Sequence, residues 1–291
     1  MNATTRLTEW RSIVWPPELT EKIRKLETGL RSLGSLVVAY SGGTDSAFLA
    51  AAAHAVLGAK ALAVISGSAS LPRRELADAC ALAERIGIRL RHVETRELEN
   101  PDYARNAPDR CFHCKSELFE TLQRIAAEEG LKHVADGANT DDLGDYRPGR
   151  KAAEKRRVHS PLLEAGFSKA EIRQASRRLG LPTADKPASA CLASRFPYGS
   201  AITREGLHRV EEAEEVLHDL GLAVVRVRAH GPVARIELAG TDLERAAREP
   251  LRSQILERLK AGGFRYVTLD LQGYRTGSLN EMLPPAARPA S

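Results

Sequence analysis

The sequence predicts an α/β protein built on a doubly wound parallel sheet, with a second, smaller α+β domain after it. Three observations lead to this fold class. The apolar run Leu36–Tyr40 enters a glycine-rich turn and then a helical segment, strands and helices alternate from there onward, and a different order of elements begins after residue 198. Ligands of open α/β sheets bind at the carboxyl ends of the strands, and the glycine-rich turn lies at such an end.

Short apolar runs and amphipathic segments define the elements of the first domain. One predicted helix begins at Ser168, and Glu171 three residues later gives the spacing of a capping box. In addition to the first strand and the helix after its turn, the predicted strands are Ala61–Ile65, Arg89–Val93 and His133–Ala135, and the predicted helices are Arg73–Ile86, about Cys114–Glu129 and Ser168–Leu179.

The second domain is predicted from its own sequence of elements. These are a helix over Thr203–Leu220, strands over Ala223–Ala229 and Ala234–Leu238, a helix over Asp242–Ala261 and a strand over Arg265–Leu271. We therefore expect three parts in the chain: a nucleotide-binding domain over 1–197, a substrate domain over 198–282 and a frayed tail over 283–291.

The chain of 291 residues carries 43 Lys and Arg against 38 Asp and Glu, a net charge of +5. This balance suits phosphate-bearing ligands without requiring nucleic acid. The densest basic run, over 147–157, is predicted as a loop, either solvated or a binding lip. The N-terminus lacks the pattern of a secretory signal, and the longest apolar stretch, Ala47–Leu57, is too short to span a bilayer, so a cytoplasmic protein without membrane contact is expected.

The turn Ser41-Gly42-Gly43-Thr44-Asp45-Ser46 has the composition of a phosphate cradle. Glycines let backbone N–H groups approach an anion, and the helix N-terminus adds partial positive charge. Neither the Walker A pattern nor the Gly-x-Gly-x-x-Gly dinucleotide fingerprint is present in the sequence. A tight turn with no ligand is the alternative. The six residues resemble the PP-loop of the ATP pyrophosphatase superfamily, whose members cleave ATP to AMP and pyrophosphate while adenylating a substrate.

Cys111 and Cys114 are spaced so that both sulfur atoms can face one ligand at the start of a helix, where thiolates are favoured. Cys191 is the candidate third thiol, and three thiolates on a four-iron cluster leave one iron open for sulfide. A redox pair, an incidental pair and a zinc site using His113 are the alternatives. Cys80 lies on the apolar face of its helix and is assigned to the core.

Further motifs along the chain resemble the LarE family, the ATP-dependent sulfur transferases of nickel-pincer nucleotide synthesis. The resemblance covers about residues 30–280. The motifs are Asp136-Gly137, Asp145-Tyr146-Arg147-Pro148-Gly149, Ser194-Arg195-Phe196-Pro197-Tyr198-Gly199, Val225-Arg226-Val227-Arg228, Ala234-Arg235-Ile236-Glu237 and Phe264-Arg265-Tyr266-Val267-Thr268-Leu269-Asp270.

The resemblance implies that ATP adenylates a carboxylate of pyridinium-3,5-biscarboxylic acid mononucleotide and that sulfur then replaces oxygen. In one variant of the family a cysteine is sacrificed and becomes dehydroalanine. The present sequence departs from that variant, because Ala190 stands at the position of the sacrificial cysteine and Cys191 follows it. The sequence resembles more closely the variant in which three cysteines, here Cys111, Cys114 and Cys191, hold a [4Fe-4S] cluster.

The resemblance also implies roles for individual residues. Besides the cradle residues Ser41, Gly42, Gly43, Thr44, Asp45 and Ser46, it assigns Asp136, Gly137 and Arg195 to ATP or AMP, Arg226, Arg228 and Arg275 to the substrate phosphate, and Glu214 and Glu237 to a divalent ion, with Mg²⁺ accompanying ATP. Two arginines two residues apart on a strand point to one face and can clamp a phosphate. Solvated arginines on a strand face and a surface glutamate in the acidic run 211–215 are the alternatives.

The expected partners are a small nucleotide substrate and proteins of the nickel-pincer pathway, and the resemblance suggests a homo-oligomer, namely a hexamer. A tRNA-thiolating PP-loop enzyme is the rival hypothesis, because such enzymes also combine a PP-loop with a CxxC pair and a distant cysteine. No RNA-binding module is recognised in the sequence. A non-catalytic nucleotide sensor is the third hypothesis and predicts ATP binding without pyrophosphate release.

Overall fold

The computed structural model describes residues 9–143, 148–187, 190–275 and 278. The helices of at least one full turn are α1 (Pro17–Leu33), α2 (Thr44–Leu57), α3 (Arg73–Ile86), α4 (Pro101–Ala104), α5 (Arg110–Glu128), α6 (Pro148–Lys155), α7 (Pro161–Glu164), α8 (Lys169–Leu179), α9 (Arg204–Asp219), α10 (Gly240–Ala247) and α11 (Leu251–Ala261). The strands are β1 (Leu36–Ala39), β2 (Ala61–Ser66), β3 (Arg89–Val93), β4 (His133–Ala135), β5 (Val225–His230), β6 (Val233–Leu238) and β7 (Tyr266–Leu269).

The chain forms two compact units, and the second is built from two separate segments. Of the described residues, unit 1 contains 9–96 and 111–187, whereas unit 2 contains Glu97–Arg110 and the residues from Ala190 to Ser278. This division differs from the expected boundary after residue 197. Backbone hydrogen bonds from Gly199 to Asn106 and from Ile202 to Ala104 attach the early segment to the later one. The predicted tail over 283–291 lies outside the described residues.

The sheet of unit 1 is parallel throughout, as predicted, with strand order β3-β2-β1-β4. Its two faces belong to different cores. Leu36 and Val38 of the central strand share a core with residues of α1, α2 and α8, whereas Val37 and Ala39 share one with residues of α5. Because β1 is buried on both faces, its carboxyl end is a rigid platform for the glycine-rich turn.

Helix α1 precedes the first strand and was not predicted. Its signals were present: a proline at the first helical position and an apolar series, Leu19, Ile23, Leu26 and Leu30, at three- and four-residue spacing. All four leucine and isoleucine side chains are buried in the core shared with β1 and α2.

Unit 2 has a three-stranded sheet of order β5-β6-β7. The first two strands form an antiparallel hairpin that pairs Arg228 with Arg235, and β7 pairs parallel to β6. Parallel neighbours need a crossover, which α10 and α11 provide. Helix α9 packs against β5 through its buried apolar face. Unit 2 is therefore the predicted small α+β body.

Two local predictions were wrong. The helix predicted over Asp242–Ala261 is two helices, because Pro250 has no N–H to donate and its ring clashes with the preceding turn of a continuous helix. The basic run predicted as a loop contains α6, which begins with Pro148 at a position where a proline is tolerated. In the predicted motif Asp145-Tyr146-Arg147-Pro148-Gly149, residues 145–147 lie outside the described residues. No helix in the part of the chain that the structure describes is long and apolar enough to cross a membrane.

Candidate functional site

The turn between β1 and α2 presents backbone N–H groups at the carboxyl end of the central strand. Gly43 is the residue before the first helical turn, and no side chain caps the N–H groups of that turn in the described structure. The Ser41 and Ser46 hydroxyls lie 3.1 Å apart, and Ser46 Oγ also accepts from Ser41 N–H at 3.2 Å. Uncapped N–H groups at a helix N-terminus favour an anion, so the turn is formed as the sequence predicted for a phosphate cradle.

Gly42 allows this turn to pack against a neighbouring helix. Its φ is +70°, a conformation that L residues with a side chain rarely adopt, and a Cβ built at this position would lie 2.4 Å from Cβ of Ala79. The close approach of α3 to the turn therefore depends on glycine at this position.

Gly137, which follows Asp136, lies against the same helix start. A Cβ built on Gly137 would lie 3.0 Å from the backbone nitrogen of Ser46, so only a glycine permits this approach without displacement. The Asp136 carboxylate accepts from the Ser160 hydroxyl at 2.8 Å and from Ala138 N–H at 3.2 Å. Asp136 and Gly137 thus lie near the turn between β1 and α2, and their role in nucleotide binding stays a prediction.

Lys169 and Thr183 also contact residues of this turn, and neither was predicted to do so. Lys169 Nζ lies 2.5 Å from Oδ2 of Asp45, and the Thr44 hydroxyl donates to the Thr183 carbonyl at 2.7 Å. Lys169 is the first residue of α8, where a cation opposes the helix dipole. That mismatch was the signal in the sequence that this lysine has a partner elsewhere.

The cysteines of the predicted sulfur site lie in different units. Cys111 and Cys114 are in the first turn of α5 in unit 1, and Cys191 precedes the 3₁₀ turn Leu192–Arg195 in unit 2. Cys111 and Cys191 are exposed and Cys114 is half-buried. All four cysteines lie within the described residues, and none forms a disulfide.

The donor chemistry of three thiols suits an iron–sulfur cluster, but the described residues hold no group of three or more His, Cys, Asp or Glu side chains arranged for a metal ion. Because Cys111 and Cys114 belong to unit 1 and Cys191 to unit 2, the three-cysteine cluster stays a prediction.

Glu214 and Glu237 are held by arginine in unit 2. Arg195 donates two hydrogen bonds of 2.8 Å to the Glu214 carboxylate, and both side chains are buried. Arg228 donates two to Glu237, at 2.9 and 3.0 Å. In the described structure these carboxylate oxygens and guanidinium groups satisfy each other, and the expected roles of Glu214 and Glu237 with a divalent ion and of Arg195 with the nucleotide stay predictions.

A cavity of about 210 Å³ lies beside these ion pairs in unit 2. Its walls carry four guanidinium groups against two carboxylates, so it favours an anion. Among the predicted phosphate ligands it includes Arg228 and Arg275, whereas Arg226 lies over the Tyr274 ring, 5.2 Å from its centre, and is not among the lining residues. The lining residues are Arg195, Pro197, Arg228, His230, Arg235, Glu237, Asp270, Gln272, Gly273, Arg275 and Ser278.

Sequence reasoning did not assign His230 and Arg235 to this cavity. His230 follows Arg226 and Arg228 at two-residue spacing on β5, and that alternation was the available signal. Burial, together with the neighbouring guanidinium groups of Arg235 and Arg228, lowers the pKa of His230 below its ordinary value of 6.5. Burial, followed by the charge of Arg195, likewise lowers the pKa of Arg226.

Comparisons with known proteins agree with the fold and the cradle. The NAD synthase family matches residues 19–111, which include the strand, turn and helix of the cradle. A tRNA-specific 2-thiouridylase of Synechococcus sp. is 31% identical over 59% of this chain and 55% of its own length.

Two relatives match almost end to end. An uncharacterized protein of Synechocystis sp. is 47% identical over 91% of this chain and 99% of its own length. The pyridinium-3,5-bisthiocarboxylic acid mononucleotide synthase of Lactiplantibacillus plantarum is 36% identical over 92% of this chain and 97% of its own length. With the PP-loop geometry in unit 1 and a match that extends through unit 2, the chain belongs to the family of that synthase, the LarE family.

Proposed function

We propose that this protein is an ATP-dependent sulfur transferase that converts a carboxylate of pyridinium-3,5-biscarboxylic acid mononucleotide to a thiocarboxylate. The observation that carries the proposal is the 36% identity to the Lactiplantibacillus synthase over 92% of this chain, which covers the phosphate cradle and the basic cavity alike. A match of that extent includes residues of unit 2 as well as residues of unit 1.

Adenylation is assigned to the cradle of unit 1. The N–H groups of the Gly43–Ser46 turn and the Ser41 and Ser46 hydroxyls suit the phosphates of ATP, with Mg²⁺ as their usual counter-ion. The substrate carboxylate attacks the α-phosphorus, the bond to the β-phosphate oxygen breaks, and pyrophosphate leaves. Lys169 neutralises the Asp45 carboxylate, so a polyanion meets less repulsion at the start of α2.

The substrate phosphate is assigned to the basic cavity of unit 2. Arg228 and Arg275 line it, and Arg235 and His230 add two groups able to donate to phosphate oxygens. The cavity carries more guanidinium than carboxylate groups, which matches a phosphate better than a neutral nucleoside. Arg226 contributes charge from its position over Tyr274.

The sulfur donor is assigned to the cysteine set Cys111, Cys114 and Cys191. A thiolate or sulfide attacks the acyl carbon of the adenylate, the bond from that carbon to the AMP oxygen breaks, and AMP leaves with its electron pair. If Cys191 itself supplies the sulfur, loss of its α-proton and cleavage of the Cβ–S bond release the thiocarboxylate and leave dehydroalanine. If inorganic sulfide is the nucleophile, the thiocarboxylate forms directly and the chain is unchanged.

Thiolation of tRNA is the rival function, and a specific observation weakens it. The tRNA-specific 2-thiouridylase matches only 59% of this chain, whereas the synthase matches 92%. We also propose, on the ground of family membership alone, that the protein acts with other proteins of the nickel-pincer pathway. On the same ground we propose that it assembles into a homo-oligomer.

The test is a complete reaction under anaerobic conditions with ATP, Mg²⁺, sulfide and the biscarboxylic mononucleotide. Pyrophosphate release that depends on the mononucleotide, together with a thiocarboxylate product by mass spectrometry, is expected. Parallel reactions with unmodified tRNA are the control. Pyrophosphate release that depends on tRNA, or ATP binding without any pyrophosphate release, would overturn the proposal.

A further inference from the structure

The turn that carries Cys191 is held by guanidinium groups at four of its carbonyl oxygens. Arg195 donates to the carbonyl of Ala190 at 2.8 Å and to that of Cys191 at 3.2 Å. Arg228 donates to the Ser194 carbonyl at 2.7 Å. The fourth contact comes from Arg110, whose Nη1 donates to the Ala193 carbonyl at 2.9 Å.

The contact that orients the Arg110 guanidinium comes from an asparagine side chain, whereas carboxylates orient the other two arginines. Arg195 and Arg228 are fixed by Glu214 and Glu237, whereas Nη1 of Arg110 donates to the side-chain oxygen of Asn106, one helical turn earlier in the chain. Arg110 is 4% exposed and Asn106 is fully buried. The Arg110 guanidinium also lies 5.9 Å from the centre of the Tyr198 ring.

Asn106 connects this arginine to the chain that follows the turn. Its side-chain amide donates to the Pro197 carbonyl at 2.8 Å and to that of Phe196 at 3.4 Å, and its backbone carbonyl accepts from Gly199 N–H at 3.0 Å. Its φ is +57°. A buried asparagine in the left-handed region persists only where its surroundings compensate the cost of that conformation.

These contacts fix the backbone on both sides of Cys191 but leave its side chain exposed. A short 3₁₀ turn without a helix on either side has little order of its own, so external donors determine how far it moves. Charge-assisted hydrogen bonds to carbonyls are the strong kind available for that purpose.

We propose that Arg110, oriented by Asn106, is a positioning residue for Cys191: it holds the 190–194 turn so that the thiol is presented from a fixed backbone. The inference rests on the role of Cys191 in the proposed function. Neither Arg110 nor Asn106 is placed in the nucleotide cradle or the phosphate cavity, so their replacement should affect sulfur transfer without affecting ATP affinity.

The experiment uses the full chain with Arg110→Gln, Arg110→Lys and, as a matched control on the same segment, Arg105→Gln, whose side chain is 58% exposed. Amide hydrogen exchange is followed in peptides covering 190–202. Alkylation of Cys191 by iodoacetamide is measured under anaerobic reducing conditions, with Cys80 as the internal reference. The affinity for ATP and the kcat of thiocarboxylate formation complete the set.

Arg110→Gln is expected to speed exchange in 190–202 and alkylation of Cys191 about tenfold, the effect of losing one charge-assisted hydrogen bond. We expect kcat to fall by about the same factor with ATP affinity unchanged. Arg110→Lys should restore part of each effect, and Arg105→Gln should resemble the wild type. If Arg110→Gln does not fold, Asn106→Gly, which suits the positive φ but removes the side-chain contacts, should speed the same exchange.

Exchange and alkylation at wild-type rates in the folded variants would overturn the inference, as would an equal acceleration in every peptide of the chain. Both readouts are independent of sulfur transfer. A wild-type protein that forms no thiocarboxylate would therefore refute the proposed function, while the exchange rates would still decide whether Arg110 orders the turn.

Discussion

Lys169 and Asp45 form an ion pair of 2.5 Å between the first residue of one helix and the second residue of another, 124 positions earlier in the chain. The pair places a cation beside the phosphate cradle although no lysine belongs to the six-residue motif itself. An acidic residue at the start of α2 stabilises the helix but repels a polyphosphate, and the lysine compensates the second effect.

Replacing Lys169 by Met should therefore weaken ATP binding. The Asp45 carboxylate would face the polyphosphate without its partner, and we expect about a tenfold to hundredfold higher Kd for ATP, with Lys169→Arg close to wild type. Calorimetric titration with Mg-ATP measures this Kd for each variant. Lys22→Met is the matched control, because the Lys22–Glu171 pair is 32% and 23% exposed, against 30% and 24% for Lys169–Asp45. An equal loss in both variants would contradict a specific role.

Gly42→Ala should distort the cradle, since the new methyl group would meet Ala79 at 2.4 Å in addition to the cost of a positive φ. We expect the free energy of unfolding to fall by about 3 kcal/mol or more. Gly34→Ala is the control: its φ is +73°, but nothing lies within 4 Å of the added Cβ, so about 1 kcal/mol is expected. Urea unfolding of both variants gives the comparison, and equal losses would show that packing against α3 is unimportant.

Glu214→Gln should destabilise unit 2 even when a chelator is present. Arg195 would remain buried without its counter-charge, which costs about 3–5 kcal/mol of unfolding free energy. Thermal and urea unfolding in EDTA measure the loss. Glu205→Gln, an exposed change on the same helix, should stay within about 0.5 kcal/mol. Unchanged stability in EDTA, with a loss seen only when a divalent ion is added, would restore the ion-binding role predicted from sequence.

Protein purified without oxygen tests the predicted cluster directly. If Cys111, Cys114 and Cys191 bind one, iron and acid-labile sulfide should each approach about four per chain, with a visible absorption band that Cys191→Ala abolishes. Absence of iron after anaerobic reconstitution would contradict the cluster. In that case a mass decrease of one hydrogen sulfide in the reacted chain would identify Cys191 as a consumed donor.

Anion binding in the cavity of unit 2 should tighten as the pH falls. His230 has a pKa below 6.5 and is neutral at pH 7.5, whereas a bound dianion favours the imidazolium, so binding takes up a proton. Sulfate is the probe, since its own charge is constant over this range. We expect its affinity to rise about threefold to tenfold between about pH 7.5 and 5.5. His230→Gln should abolish the rise and His208→Gln, on exposed α9 surface, should keep it. The same pH dependence in all three proteins would contradict the assignment.

The sequence was sufficient for features that depend on short stretches of chain. The strand, turn and helix around Ser41–Ser46 follow from apolar periodicity and from glycines whose freedom the turn requires, and the parallel sheet follows from the alternation of elements. In unit 2 the family motifs singled out Arg228 and Arg275, and both line the basic cavity.

The features that could not be predicted depend on partners distant in the chain. The pairing of Glu214 with Arg195 and of Glu237 with Arg228 depends on which strands and helices meet. The membership of Glu97–Arg110 in unit 2 depends on hydrogen bonds to residues about ninety positions later, such as that from Asn106 to Pro197. Neither relationship leaves a periodic signal in the sequence.

Because unit 2 is assembled from two stretches of chain, the polypeptide passes between the units after Arg96, after Arg110 and again before Ala190. A fragment beginning at residue 198 would lack Asn106, Arg110 and the Cys191 turn, and would expose the backbone that they satisfy. The turn that carries Cys191 is therefore ordered only when Glu97–Arg110 and the chain from Ala190 fold as one body, although some eighty residues of unit 1 separate them in the sequence.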